Sequence, residues 1–177
     1  YSTDASIYQI EPLGVVFPRR LDDLAAIVGL CAQEGVAVLP RGSGSSLAGQ
    51  AIGEALIVDC SRYLNQLEAL DAHSHEVWVQ PGLILAALNK QAGRVGLQFG
   101  PDPASAERAT LGGSLANNAT GAHSIQFGMA ADHLLEVEVV LGDGSVANFH
   151  SLPVEEETKL GNNAKNAHSQ LIELQQR

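Results

Sequence analysis

Basic residues are scarce in this chain of 177 residues: ten Lys and Arg stand against twenty Asp and Glu, for a formal net charge of −10. The few that exist are scattered and form no stripe of the kind a nucleic-acid surface needs. Long apolar runs are absent too: none approaches the roughly 20 residues that cross a bilayer, so no transmembrane segment is expected. The start, Tyr1-Ser2-Thr3-Asp4, lacks a signal-peptide pattern. There are only two cysteines, Cys31 in an expected helix and Cys60 just after an expected strand. They read as small buried residues of a reducing, cytoplasmic compartment, not as a disulfide framework. The chain opens on Tyr1 and its one methionine is Met129, so it is expected to be a piece of a longer protein. No internal repeat is seen, and no Ser-His-Asp order argues for a hydrolase. A globular domain with a small-molecule partner is what remains.

The stretch Arg41-Gly42-Ser43-Gly44-Ser45-Ser46-Leu47-Ala48-Gly49 carries three glycines and three serines in nine residues, directly after the apolar run Val36-Ala37-Val38-Leu39-Pro40. Successive N–H groups unobstructed by large side chains can fold as a concave nest around an anion, a phosphate or pyrophosphate above all. Arg41 is placed to neutralise phosphate charge, or to pair with a carboxylate or helix end. Two familiar phosphate loops fail on spacing. A P-loop needs Lys after its last glycine, where Gln50 stands, and the dinucleotide fingerprint needs a third glycine where Leu47 stands. The next strand, Ala55 to Asp59, begins too soon for a usual crossover helix, so the loop itself is expected to bridge neighbouring strands. Asp59 could be imagined on a ribose, but reads better as a polar residue closing a buried strand.

Around this loop the chain reads as α+β. Gly14 to Phe17 forms a strand ended by Pro18, and Leu21, Leu24, Ala25, Val28, Cys31 and Ala32 recur at helical spacing up to Glu34. Asp22 and Asp23 suit the helix N-terminus and Gly35 stops it. With Val36 to Leu39 this is a strand–helix–strand unit, in a parallel sheet with Ala55 to Asp59. Gln66 to Leu70 and Glu76 to Gln80 read as strands around a polar turn, and Leu83 to Ala92 as a helix closed by Gly93. The stretch Gly96 to Gly128 is long and irregular, which usually signals function. Leu135 to Leu141 alternates toward one buried face and turns at Gly142-Asp143-Gly144 into Val146 to His150. Two subdomains follow, about 1–62 and 63–150, and then a polar segment over 151–177.

The irregular stretch holds a second glycine-rich run, Thr110-Leu111-Gly112-Gly113-Ser114-Leu115-Ala116-Asn117-Asn118-Ala119-Thr120-Gly121, preceded by Gly100-Pro101-Asp102-Pro103. Gly112 and Gly113 admit close approach of a flat ligand or a phosphate, and Gly113 to Ala119 is expected to open a short helix. Both runs resemble the FAD-linked oxidase family, typified by vanillyl-alcohol oxidase, and within it the glycolate oxidase and D-lactate dehydrogenase branch. So do Ile57-Val58-Asp59, Gln80-Pro81-Gly82, Phe127-Gly128 and Val139-Val140-Leu141-Gly142-Asp143-Gly144, in order over Tyr1 to His150.

The resemblance implies a two-subdomain FAD-binding domain with a small parallel sheet and a larger mixed or antiparallel sheet flanked by helices. Arg41, Gly42, Ser43, Gly44, Ser45 and Ser46 would line the pyrophosphate. Pro101, Thr110, Gly112, Gly113, Asn117 and Gly121 would approach the pyrophosphate and the isoalloxazine ring. It implies oxidation of a small 2-hydroxy acid to a 2-oxo acid, a base taking the hydroxyl proton while hydride passes to flavin N5. A following cap domain, an iron–sulfur electron-transfer partner and a position peripheral to the inner face of the membrane belong to the same implication. Members that bond FAD covalently through this loop carry a His there; none stands between Arg41 and Gly49, so FAD is expected to be non-covalent. Readings without redox chemistry, a phosphate-ligand module or a cofactor-free interaction domain, stay open.

Other residues carry plainer readings. His123 could donate to a flavin, but a loop histidine satisfying backbone carbonyls is the expectation. His73 and His75 make a poor metal site without a nearby Cys or carboxylate cluster, and none is expected. Glu136 and Glu138 alternate with apolar residues and read as a solvated face. Trp78 is expected to be buried against the neighbouring subdomain. No catalytic base is identified.

Overall fold

The computed structural model describes residues 1–150, so the polar segment 151–177 lies outside the described residues. The described residues divide into two compact units, one of residues 1–134 with 140–145, the other of 135–139 with 146–150.

The first unit is built on a three-stranded parallel sheet of β1 (Gly14–Val16), β2 (Val38–Arg41) and β3 (Leu56–Asp59), in the order β1-β3-β2. Ile57 and Val58, covered on both sides, are essentially inaccessible, as expected of β-branched residues in a central parallel strand. Pro40 is tolerated because β2 is an edge, where a missing N–H costs no ladder bond. Val38↔Leu56 through Arg41↔Asp59 are in register, so the loop between β2 and β3 joins adjacent parallel strands without a helix. Helix α1 (Leu21–Glu34) crosses from β1 to β2. The Asp23 carboxylate accepts from the N–H groups of Arg19 and Arg20, and Gly35, at φ 67°, ends the helix.

β4 (Leu67–Asp71) and β5 (Glu76–Val79) pair antiparallel with a bulge between Leu67 and Ala69. The Asp71 carboxylate accepts from the N–H groups of His73 and Ser74, which fixes the turn and confines His73 and His75 to it. Val77 and Val79 pack on the core of Leu83, Leu85, Leu88 and Leu111. Trp78 alternates outward and is 47% exposed, so it is not the buried ring expected from the sequence: strand period places it opposite the two valines. Helix α2 (Leu85–Ala92) does not stop at Gly93, which keeps helical φ and ψ. The chain runs on through a 3-10 turn, Gly93–Val95, and is halted by Gly96 at φ 76°.

The irregular stretch is more ordered than its composition suggests. It holds α3 (Leu111–Ala116) and α4 (Ser124–Phe127), then the 3-10 turn Ala130–His133. α3 starts two residues before the expected Gly113, because the Thr110 hydroxyl caps it by accepting from Gly113 N–H, and it ends before Asn118, whose φ is 45°. The turn Gly142-Asp143-Gly144 lies on α1 at Gly29. β6 (Glu136–Val140) and β7 (Val146–His150) form a two-stranded sheet. Glu136 and Glu138 are exposed, as the alternation predicts. The opposite face is only half-buried at Val137 and Val139, and Leu135 is 60% exposed, so the expected buried face is not closed among the described residues.

Candidate functional site

Strand β2 delivers Arg41 and the glycine loop to the end of the parallel sheet beside Asp59. The backbone N–H groups of Ser43, Gly44, Ser45 and Ser46 bond to no described residue, and the Ser43 hydroxyl bonds only the Ser45 hydroxyl, at 3.3 Å. Unpaired amides in a loop containing a left-handed glycine, Gly44 at φ 71°, are the elements of an anion nest. Beside them lies an open cleft of about 300 Å³ lined by Tyr1, Arg41, Gly42, Ser43, Asp59 and Ser61.

Arg41 pairs with no carboxylate among the described residues. Its guanidinium donates to the carbonyls of Tyr1, Thr3 and Ala51 at 2.8–3.1 Å and lies over the Tyr1 ring. Asp59, 5% exposed, closes β3 and accepts from the Tyr1 hydroxyl at 2.7 Å and from Ser61 N–H at 2.8 Å, matching the plainer sequence reading. Burial, reinforced by the Asp59 carboxylate, raises the Tyr1 phenol above its ordinary range. Next to it the Cys60 thiol is pushed up to about 11, by burial first and then by Asp59, which keeps it protonated and unreactive near neutral pH.

The second glycine run meets the first directly. A Cβ on Gly42 would overlap the Thr110 hydroxyl, and Gln50 Nε2 donates to Asn117 Oδ1 at 3.1 Å across 67 residues of sequence. Thr110 therefore caps α3 and also touches the loop, bringing Gly42, Thr110, Gly113 and Asn117 into one neighbourhood. The Ser114 hydroxyl, 4% exposed, has no partner among the described residues. Gly112 packs on Pro81, and Gly121 on the backbone of Asp102. Pro101 is fully buried.

His123 pairs with a carboxylate, against the sequence expectation. Instead of satisfying a carbonyl, its Nδ1 meets Asp102 Oδ2 at 2.5 Å, while its own N–H donates to Asp102 Oδ1 at 3.0 Å. These bonds, the backbone one first, hold the Asp102 carboxyl below the usual carboxylate range. Sequence reasoning passed over Asp102, Gln50 and Tyr1. Only the proline pair around Asp102 hinted that its backbone is held rigid.

Two glycine-rich runs therefore meet at the end of a small parallel sheet, with unpaired amides of the kind that suit an anion. Residues 12–150 match the FAD binding domain family, and the chain belongs to that family. Its cofactor is therefore FAD, and the unpaired loop amides and glycine-lined contacts fit such a group. The chain is 40% identical over 163 residues to D-2-hydroxyglutarate dehydrogenase of Escherichia coli (strain K12), covering 90% of this chain and 16% of that protein. It is 33% identical to glycolate oxidase subunit GlcD of Bacillus subtilis (strain 168), covering 82% of this chain and 32% of that one. Among solved structures, alkyldihydroxyacetonephosphate synthase superposes with a TM-score of 0.69 at 26% identity, over 80% of this chain and 26% of the other. The chain thus spans between a sixth and a third of the curated relatives named. No helix among the described residues is long and apolar enough to cross a membrane.

Proposed function

We propose that this chain is the FAD-binding portion of an oxidoreductase that converts a small 2-hydroxy acid to the 2-oxo acid. The observation that carries the reading is the run of unpaired amides from Ser43 to Ser46 in a loop that meets the second glycine run through Gly42 at Thr110 and Gln50 at Asn117. In it the amides of Gly42 to Ser46 hold the pyrophosphate. Pro101, Thr110, Gly112, Gly113, Asn117 and Gly121 lie along the rest of the dinucleotide. The division near residue 62 separates the two walls of the site. FAD is held without a covalent bond, since no His stands between Arg41 and Gly49.

Bound FAD supplies the hydride acceptor. This chain's share of the work is to orient the cofactor and fix its phosphates with preformed N–H donors. Substrate selection belongs to a cap domain, and re-oxidation to an iron–sulfur partner. The protein works in the cytoplasm, peripheral to the inner face of the membrane. D-2-hydroxyglutarate, glycolate and D-lactate are the substrates to try first, because the relatives' names include their dehydrogenases and oxidase.

The test is the visible absorption spectrum of the purified chain, before and after FAD addition and desalting. Retained flavin bands that stay in the supernatant after acid precipitation are the expected result. A folded sample of the full-length protein that retains none overturns the cofactor assignment, and yellow colour in the acid pellet overturns the non-covalent one.

A further inference from the structure

We infer that Arg41 is a positioning residue for the cofactor loop: it is the peg that binds the N-terminal segment Tyr1–Tyr8 to the loop, and not a ligand of the phosphates. The inference deepens the FAD-binding reading above and rests on it. Three N–H groups of the guanidinium are spent on neutral carbonyls: Nη1 on Tyr1 O at 3.1 Å and Ala51 O at 2.9 Å, Nη2 on Thr3 O at 2.8 Å. Ala51 lies ten residues beyond Arg41, past the far end of the loop, so one planar fork closes the loop at its base and also fastens the N-terminal segment to it.

The glycine loop is wrapped around this side chain. Gly44 sits at φ 71°, and a Cβ there would overlap Nη2. Further ties join the same two segments. Ala5 N–H donates to Gly44 O at 3.0 Å, and the Tyr8 ring lies 2.9 Å from where a Cβ on Gly49 would be. The Tyr1 ring stacks under the guanidinium at 5.2 Å, while its hydroxyl is held by Asp59. The carbonyls orient the fork toward the N-terminal segment. The loop amides from Ser43 to Ser46 are left as the groups free to meet an anion.

Charge and shape separate this role from that of a phosphate ligand. Lysine keeps the charge but cannot span three carbonyls with a planar fork. In the full chain, Arg41→Lys and Arg41→Gln are therefore expected to behave alike. With no FAD added, amide exchange of the 1–10 peptide, read by mass spectrometry, accelerates by about tenfold in both. FAD affinity, read by flavin fluorescence titration, falls in both by a similar factor of about ten. Arg41→Lys with near-normal affinity beside a weak Arg41→Gln overturns the inference in favour of a charge role, and so does unchanged exchange in both. Ala5→Pro, which deletes the one N–H given to Gly44, is the variant to use if the Arg41 variants do not fold. It is expected to accelerate exchange and weaken FAD in the same sense, by a smaller factor, and no change in either overturns the peg. The exchange readout is made without cofactor. A wild-type chain that binds no FAD, with exchange still accelerated in the Arg41 variants, would therefore sink the cofactor reading and leave the peg standing.

Discussion

The two glycine-rich runs look alike on the page and are glycine-rich for different physical reasons. In the first, Gly44 is needed by a left-handed backbone, and the atoms crowding it are the end of a long side chain, Arg41. In the second, Gly112 and Gly121 are needed because backbone from another segment lies against them: Pro81 at Gly112, Asp102 at Gly121. One run is shaped around the end of a side chain that three carbonyls hold in place; the other is jammed against backbone. A side-chain end gives way at the cost of its hydrogen bonds, and backbone only by moving the segment it belongs to, so the second run is the more rigid wall.

The sharpest way to break this contrast is Gly112→Ala. The new methyl would stand 2.7 Å from Pro81 Cβ and 3.0 Å from its carbonyl, and Gly112 N–H also donates to that carbonyl at 2.8 Å. Neither segment can give way without disturbing α3 and the core residue Leu111. Overpacking of this kind costs about 3 kcal/mol. Tm should then fall by about 6–12 °C in a thermal melt. A loss below about 1 kcal/mol would mean the wall is not rigid.

Gly44→Ala should cost less. The strain of one left-handed non-glycine residue is about 1–2 kcal/mol, and what the new methyl displaces is the end of the Arg41 side chain with its bonds to the carbonyls, not backbone. Its expected signature is a modest shift in urea midpoint with a disproportionate loss of flavin retention on desalting. A Gly44→Ala chain less stable than Gly112→Ala would reverse the assignment of peg and wall.

The sequence exposed the parts of this fold that depend on local pattern. The helical spacing from Leu21 to Ala32 and the stop at Gly35 gave α1 its bounds. The short distance from Gly49 to Ala55 required adjacent strands joined by the loop alone, as the β2–β3 register bears out. What stayed hidden depends on backbone acceptors and distant partners. Nothing in the letters around Arg41 shows that it will meet three carbonyls, because carbonyls have no side-chain signature. Asp102 and His123 are 21 residues apart in a stretch with no periodicity, so their pairing is set by how Gly121 packs and not by spacing. Thr110 was legible as a site residue but not as the cap that moves α3 forward by two positions.

Gly93 is the control for the whole comparison, since neither backbone nor space asks for glycine there. It sits at φ −60°, ψ −20°, which any residue adopts, and nothing lies within 4 Å of a Cβ built on it. The sequence reading made it a helix stop, but that work is done three residues later by Gly96. Gly93→Ala therefore only removes freedom from the unfolded chain, and it is expected to stabilise by about 0.4–1 kcal/mol. In a melt this is a rise of about 1–4 °C with flavin binding unchanged. A loss of stability instead would mean that Gly93 carries a constraint of its own, and the division of the chain's glycines into those held by φ, those held by contact and those held by neither would have to be redrawn.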